Sequence, residues 1–232
     1  MMRNVAVRNI PRASQEAVAA LGAAGVATVH EAQGRSGLLA PYMRPIFSGA
    51  AIAGPAVTCL VAPGDNWTIH VAMELCQAGD ILVIGCMTEN TDGMIGDLIC
   101  TALQVRGVKG VVLDTGCRDV RVLSEMGFPV WSRAISARGT VKATLGNVNL
   151  PTVCAGQLVH AGDVVIADDD GVCIVPRTDA ARVADLARQR IEKEEKSRQR
   201  YLKGELSLDV APALRAGLAP AGFTYVDSAA DL

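Results

Sequence analysis

Aromatic side chains are scarce in this sequence: Phe, Trp and Tyr together make up 3% of its 232 residues. Hydrophobic residues still account for 50% of the chain, so Ala, Val, Leu, Ile and Gly have to build the core. A chain of this length buries a sizeable core without disulfides or metals. Nucleic-acid-binding proteins usually present a basic face with exposed aromatics, and the net charge of −2 argues against that class.

Long hydrophobic runs are also missing. The longest, "DILVIGCM" (80–87) and "GVVLD" (110–114), have the length of strands, well below the about 18 residues of a membrane-spanning helix. The first 15 residues lack an apolar segment followed by a small-residue cleavage site. We therefore expect a cytosolic protein without a membrane partner.

The cysteines show no metal-binding or redox spacing. No pair has the CxxC pattern, and the scatter through apolar segments predicts reduced, buried thiols rather than structural zinc ligands; they stand at 59, 76, 86, 100, 117, 154 and 173. Cys117 beside Arg118 remains a candidate nucleophile, although no histidine stands near it in sequence to act as its base. Nucleotide-binding, nucleophile-elbow and zinc-protease motifs do not occur.

The order of the apolar segments predicts an α/β fold. A helix over 14–34, capped by Ser14 and interrupted at Gly22 and Gly25, precedes a β-rich stretch that starts near residue 49. A strand at 80–86, a helix from Asp97 to Val105 and a strand at 110–116 form one unit of a parallel layer. A hairpin at 164–176 with its turn at 170–171 and a long helix at 178–203 complete one domain over 1–232.

Two short stretches of this unit carry the candidate chemistry. Gly96 and Asp97 stand where a helix begins, and its first N–H groups and positive dipole end suit a carboxylate or phosphate. Arg118 and Asp119 follow the next strand, and a right-handed crossover brings that strand end to the rim of the sheet where the helix begins. We expect an anion-binding metal site there. The simpler alternatives are that Asp97 caps its helix and that Arg118 and Asp119 form a local ion pair.

Other candidate residues carry weaker signals. His70 and Asn66 share one side of a helix and could face a cavity, whereas His30 is more typical of a structural histidine. Lys142 has an apolar neighbourhood in sequence, which makes it a Schiff-base candidate. The acidic run at 168–170 is most simply the tip of a hairpin.

Several segments together resemble the 4-hydroxy-4-methyl-2-oxoglutarate / 4-carboxy-4-hydroxy-2-oxoadipate aldolases of the RraA-like family. They are "ATVHEAQGR", "PGDNWTIHVA", "TDGMIGDLICTALQVRGVKGVVLDTGCRDV", "FPVWSRAISARGTVKATLG" and "GDVVIADDDGVCIVP". The resemblance implies an RraA-like swivelling β/β/α sandwich with a C-terminal helical extension. It also implies assembly as a trimer or hexamer, with the C-terminal helix and tail from about 178 to 232 contacting a neighbouring subunit.

The resemblance further implies a class II lyase that needs Mg²⁺ or Mn²⁺. The backbone of Gly96, Asp97, Leu98 and Ile99 would hold the pyruvate carboxylate, and Arg118 would contact the keto oxygen. Asp119 would ligate the metal directly and Asp97 through water. Glu194 of a neighbouring subunit would complete the outer shell through water, with Glu192 and Glu195 as the alternatives.

The implied reaction cleaves 4-carboxy-4-hydroxy-2-oxoadipate or 4-hydroxy-4-methyl-2-oxoglutarate to pyruvate plus oxaloacetate or a second pyruvate, as in the catabolism of aromatic compounds. Oxaloacetate decarboxylation is the expected side activity. The alternatives are a non-enzymatic binding protein like the regulator of ribonuclease E and a dedicated oxaloacetate decarboxylase. The preferred C4 substituent, the metal and the general base stay open.

Overall fold

The computed structural model describes residues 4–231 and divides into two compact units, one up to Arg188 and one from Gln189 onward. The helices are α1 Gln15–Ala32, α2 Trp67–Leu75, α3 Asp97–Val105, α4 Val120–Glu125, α5 Ala180–Tyr201, α6 Ser207–Val210 and α7 Pro212–Gly217. The strands are β1 Arg44–Pro45, β2 Ile52–Val61, β3 Ile81–Cys86, β4 Gly93–Ile95, β5 Gly110–Cys117, β6 Val130–Ile135, β7 Asn147–Val148, β8 Thr152–Cys154, β9 Gln157–Val159, β10 Val164–Asp168 and β11 Gly171–Val175.

The first unit is built on a nine-stranded sheet. Seven strands follow the order β1-β6-β5-β3-β2-β10-β11, and the short strands β4 and β7 pair with β5 and β2. Its centre is parallel, since β2 pairs with β3, β3 with β5 and β5 with β6 in the same direction. The hairpin of β10 and β11 joins antiparallel to β2. The predicted β3–α3–β5 unit of a parallel layer is therefore confirmed, and α3 has the predicted bounds.

The core is aliphatic, as the composition requires. Leu82, Ile84, Leu103 and Leu113 are fully buried in the largest cluster, which fills the space between the sheet and α2 and α3. Burial of such side chains stabilises the fold by roughly 1.5–3 kcal/mol each. The two bulkiest buried side chains are the aromatics Trp131 and Phe128.

Helix α1 follows its sequence signals except at Gly22, which stays helical although the sequence predicts an interruption there. Ser14 precedes the helix and its hydroxyl accepts a hydrogen bond from the N–H of Ala17 at 3.2 Å. Gly25 leaves the helical conformation with φ 77°, a value that glycine adopts without strain, so the helix is kinked there. The Asp168 carboxylate accepts from the N–H of Val26 at 2.8 Å and so caps the helix segment that follows the kink.

Two local predictions need correction, and one strand is not predicted. The segment 88–96, between the predicted strand and α3, contains the short strand β4, which the sequence does not indicate because three residues are too few for a periodic signal. The hairpin turn consists of Asp169 and Asp170, since Asp168 pairs with Gly171. Helix α5 begins at Ala180, two residues after the predicted Thr178.

The second unit contains the distal part of α5, then α6 and α7. Its charged residues form local ion pairs, including Arg190 with Glu194 at 2.7 Å and Arg215 with Asp209 at 2.6 Å. The expectation of one domain over 1–232 stays a prediction, as does the contact of this segment with a neighbouring subunit. No helix within residues 4–231 is long and apolar enough to span a membrane.

Helix α3 provides a test of how the fold is stabilised. Replacing the fully buried Leu103 with Ala should lower the free energy of unfolding by about 3 kcal/mol, because a cavity remains in the largest core cluster. Val105 stands two residues later but is 84% exposed. Val105→Ala should therefore change the free energy of unfolding by less than about 0.5 kcal/mol. Urea unfolding of both variants measures this, and equal losses would contradict the assigned burial of α3.

Candidate active site

The beginning of α3 and the end of β5 are joined directly. Strand β4, which leads into α3, pairs with β5 through Gly93 opposite Gly116 and Ile95 opposite Cys117. The N–H of Arg118 then donates to the carbonyl of Ile95 at 3.0 Å. The chain segments before Gly96 and before Arg118 therefore run side by side. This contact brings the two predicted halves of the site together.

Gly96 is required here because of space. A Cβ atom at this position would lie 2.1 Å from Asp119 Oδ2, closer than nonbonded atoms approach, and in tight contact with Arg118 Nε at 3.1 Å. Its φ of −153° is extended backbone that other residues also adopt, so the requirement is the close approach alone. The absence of a side chain lets Asp119 reach the first N–H group of α3.

Asp119 itself adopts a left-handed backbone conformation, with φ 59° and ψ 30°, immediately before α4. Asp tolerates this conformation better than most residues. Its Oδ2 accepts a hydrogen bond from the N–H of Asp97 at 3.2 Å and lies 3.5 Å from Arg118 Nε. The Asp119 side chain remains 35% exposed, so the carboxylate can take a further ligand. The predicted local ion pair exists, and it forms part of the larger site.

The prediction that Asp97 caps α3 is wrong. Gly96 occupies the cap position, and Asp97 is the first helical residue. Its Oδ1 accepts from the N–H of Leu98 at 2.8 Å. The N–H groups of Asp97 and Leu98 therefore already have acceptors within the protein, and a ligand carboxylate at this helix end would have to share or replace them.

A cleft of about 220 Å³ opens at the beginning of α3. One wall comes from residues 96–99 and Arg118; a second comes from Asn66 and His70. The third wall belongs to residues 136–146, which connect β6 to β7 and are called the strap below; Gly139, Thr140 and Lys142 are its lining residues. A second hollow of about 290 Å³, lined by Arg118, Asp119 and Ile135, adjoins the cleft at Arg118.

The wall from α2 combines an amide and a neutral imidazole. The Nδ2 atom of Asn66 donates to the carbonyl of Met94 at 2.9 Å, and its buried Oδ1 has no partner among the described residues. Burial, and then the positive charge of Lys142, lowers the pKa of His70 below its ordinary value. The prediction that Asn66 and His70 face a common cavity is confirmed.

The structure also shows the surroundings of three other candidates. Lys142 is exposed, so the apolar neighbourhood expected from the sequence is absent from its surroundings. His30 lies outside the cleft, with Nδ1 3.1 Å from the carbonyl of Ser36. In the acidic run, Asp168 caps the second part of α1 and Asp169 accepts from the N–H of Gly49, as suits a hairpin tip.

The C-terminal glutamates belong to the second unit. Glu194 pairs with Arg190 on its own helix, and Glu195 pairs with Arg198 and accepts from Gln199 at 2.6 Å. Glu192 is exposed. Which of the three reaches a neighbouring subunit stays a prediction.

The donor atoms of the site suit one class of metal. Within residues 4–231, no three His, Cys, Asp or Glu side chains converge on one point. Zinc sites need that many protein ligands, whereas Mg²⁺ commonly takes one or two carboxylates and keeps several waters. The exposed oxygens of Asp119, with Asp97 beside it, fit the second pattern.

Some residues of the site carried no distinct sequence signal. Gly139 and Thr140 line the cleft although the strap is far in sequence from residues 96–99 and from Asn66. Asp65 does not line the cleft, but it bonds the strap to the beginning of α2. In sequence, "PGDN" (63–66) is typical of a turn, and this pattern does not indicate the partners of Asp65.

Sequence comparisons match the chain to one family. A model of the RraA-like family, described as Aldolase/RraA, matches residues 23–174. A protein of Halalkalibacterium halodurans, provisionally named a 4-hydroxy-4-methyl-2-oxoglutarate aldolase, is 29% identical over 164 residues and covers 71% of this chain and 78% of its own. An uncharacterised protein of Methanocaldococcus jannaschii is 31% identical over 171 residues, covering 72% and 82%.

Solved structures agree with this match. Streptomyces coelicolor RraAS2, described as an unusual member of the RNase ES inhibitor RraA protein family, superposes with a TM-score of 0.72 at 29% identity and covers 82% of this chain and 99% of its own. An uncharacterised Pseudomonas syringae protein superposes with a TM-score of 0.75 at 22% identity and covers 87% of this chain and 100% of its own. This similarity shows the fold alone. The RraA-like α/β fold expected from the resemblance is confirmed.

Labelling of the cysteines tests whether Cys117 can act as a nucleophile. Burial raises the pKa of Cys117 to about 12, so only about one thiol in ten thousand is ionised at pH 8. Iodoacetamide at pH 8 should therefore leave Cys117 unmodified in the native protein, while the half-buried Cys86 reacts first. Mass spectrometry of digested protein measures this, with guanidinium-unfolded protein as the control for labelling of all seven thiols. Rapid native modification of Cys117 would return it to the list of candidates.

Proposed function

Because the chain belongs to the RraA-like family, matched over residues 23–174, we propose that it is a divalent-metal-dependent class II aldolase. The proposed substrates are 4-carboxy-4-hydroxy-2-oxoadipate and 4-hydroxy-4-methyl-2-oxoglutarate, cleaved to pyruvate plus oxaloacetate or a second pyruvate. Relatives provisionally named 4-hydroxy-4-methyl-2-oxoglutarate aldolases support the reaction class. We further propose that it acts in the cytoplasm as a trimer or hexamer in the catabolism of aromatic compounds.

One observation carries this proposal: a guanidinium and a carboxylate stand together at the beginning of a helix, on the edge of a cleft. Asp119 Oδ2 bonds to the N–H of Asp97 and lies 3.5 Å from Arg118 Nε. The helix end favours a carboxylate, and Arg118 favours a second oxygen that becomes negative. A 2-keto acid has these two groups on adjacent carbon atoms.

The residues also fit a hard divalent cation, Mg²⁺ or Mn²⁺. Asp119 would hold it directly and Asp97 through water. Glu194 of a neighbouring subunit would contribute through water, with Glu192 and Glu195 as the alternatives. When bound, such a cation acts as a Lewis acid that polarises the keto group of the substrate.

The residues of this chain orient the substrate for cleavage of the C3–C4 bond. The beginning of α3 binds the carboxylate at C1, and Arg118 donates to the keto oxygen at C2. A general base takes the proton of the C4 hydroxyl, and C4 becomes a carbonyl carbon. The electron pair of the C3–C4 bond then forms the enolate of pyruvate. Arg118 stabilises the negative charge on the enolate oxygen at C2, and a proton added at C3 gives pyruvate.

The other walls of the cleft suit the remainder of the substrate. Lys142 offers a positive charge to a carboxylate carried by C4. His70, whose pKa is lowered by burial and by Lys142, is neutral at pH 7 and adds no second positive charge. Oxaloacetate losing CO₂ would give the same enolate, so decarboxylation is the proposed side activity.

Two alternatives share the fold. A binding protein like the RNA-processing inhibitor RraA of Thermus thermophilus has a related fold, with a TM-score of 0.55 at 24% identity. Regulation by contact would need no cluster of Asp97, Arg118 and Asp119, and this cluster favours the enzyme. A dedicated oxaloacetate decarboxylase would use the same cluster, and it differs by a higher kcat/KM for oxaloacetate than for the hydroxy-oxo acids.

Chelation and a single substitution test the proposal. Pyruvate release from 4-carboxy-4-hydroxy-2-oxoadipate, coupled to lactate dehydrogenase, should stop with EDTA and return with Mg²⁺. Asp119→Asn should lower kcat/KM by at least about a hundredfold, because an amide replaces the carboxylate that holds the metal. Glu125→Gln, which changes an exposed carboxylate on α4, is the matched control and should retain activity.

Each contradicting result points to a different alternative. Turnover that survives both EDTA and Asp119→Asn would exclude the metal mechanism and favour a Schiff base at Lys142, which borohydride trapping detects. A wild-type protein without turnover of either hydroxy-oxo acid or of oxaloacetate would favour the binding protein.

A further inference from the structure

Asp65 is a buried carboxylate outside the cleft that accepts three backbone hydrogen bonds. It is 2% exposed and follows the turn after β2. Its Oδ1 accepts from the N–H of Trp67 at 2.9 Å, and its Oδ2 accepts from those of Ala143 and Thr144 at 2.6 and 2.7 Å. Burial, the largest effect, opposes ionisation, but these donors outweigh it and hold the pKa of Asp65 below its usual value.

These bonds join two segments that each form a wall of the cleft. Trp67 begins α2, which carries His70, and Ala143 follows Lys142 in the strap. Two backbone hydrogen bonds join the same segments. The N–H of Val141 donates to the carbonyl of Gly64 at 2.9 Å, and the N–H of Asn66 donates to the carbonyl of Val141 at 3.2 Å.

Lys142 is fixed through its backbone and not through its side chain. Its neighbours in sequence, Val141 and Ala143, are both bonded to the 64–66 turn. The Lys142 side chain is exposed and lines the cleft. Its position relative to His70 and Arg118 therefore depends on the junction at Asp65. The strap is also bonded at its two ends. The carbonyl of Arg138 accepts from the N–H of Gly93 at 2.8 Å, and the N–H of Gly146 donates to Thr68 Oγ1 at 2.7 Å.

We propose that Asp65 is a positioning residue: its carboxylate holds the strap against α2 and so places Lys142 where the C4 end of the substrate lies. The inference rests on the proposed aldolase function for the identity of that substrate. Asp65 touches no substrate and acts through Lys142.

A matched control exists on another part of the fold. Asp163 is 3% exposed and likewise joins two backbone segments, accepting from the N–H of His160 at 2.9 Å and of Arg177 at 3.0 Å. It neither lines the cleft nor bonds to the strap. Asp163→Asn thus removes a buried, backbone-bonded carboxylate without the proposed positioning effect.

The experiment combines amide hydrogen exchange with a double-mutant cycle. In Asp65→Asn one end of the side chain becomes a donor facing backbone donors, so peptides covering 140–146 should exchange about tenfold faster than in wild type. The kcat/KM for 4-carboxy-4-hydroxy-2-oxoadipate should fall about tenfold or more. In a Lys142→Met background, adding Asp65→Asn should lower kcat/KM by less than about threefold, since the group that Asp65 places is gone. Asp163→Asn should leave both readouts within about threefold of wild type.

Three results would overturn the proposal. They are unchanged exchange in the strap, additive effects of Asp65→Asn and Lys142→Met, and equal effects of Asp65→Asn and Asp163→Asn. Failure of the aldolase function is separate, because it shows as a wild-type protein without turnover. Exchange needs no substrate, so even then faster exchange in the strap supports the role of Asp65 and unchanged exchange overturns it.

Discussion

The site depends on one close approach, that of the Asp119 carboxylate to the first N–H group of α3. The pairing of β4 with β5 brings the two segments side by side, and the missing side chain at Gly96 lets them meet. The left-handed conformation of Asp119 then turns its carboxylate toward the helix. A helix dipole, a guanidinium and a carboxylate are thereby concentrated within a few ångströms, where an anion and a cation can bind together.

The parts of this arrangement that follow local rules could be predicted from the sequence. Glycines and buried apolar runs mark β3, α3 and β5, and the crossover rule brings Asp97 and Arg118 to one rim of the sheet. The kink at Gly25 is equally local, because only glycine adopts that conformation without strain.

The remainder depends on contacts between distant residues, and no local pattern encodes these. Strand β4 is too short for a periodic signal and exists because β5 lies beside it. The apolar residues around Lys142 in sequence predict burial, but Lys142 lies on an exposed strap. The strap is bonded to Asp65, which is 78 residues from Ala143 in sequence. The role of Glu194 in a neighbouring subunit stays a prediction, because it concerns residues of two copies of the chain.

Substitution of Gly96 tests the central claim most directly. Gly96→Ala should keep the fold, since its backbone is ordinary extended chain, but the new Cβ must displace Asp119. Metal-dependent pyruvate release should then fall by about a hundredfold, the cost of a displacement of about 1 Å in an active site. Gly217→Ala, whose Cβ would meet nothing within 4 Å, is the control. Full turnover by a folded Gly96→Ala protein would show that the contact between Asp119 and α3 is not needed for the reaction.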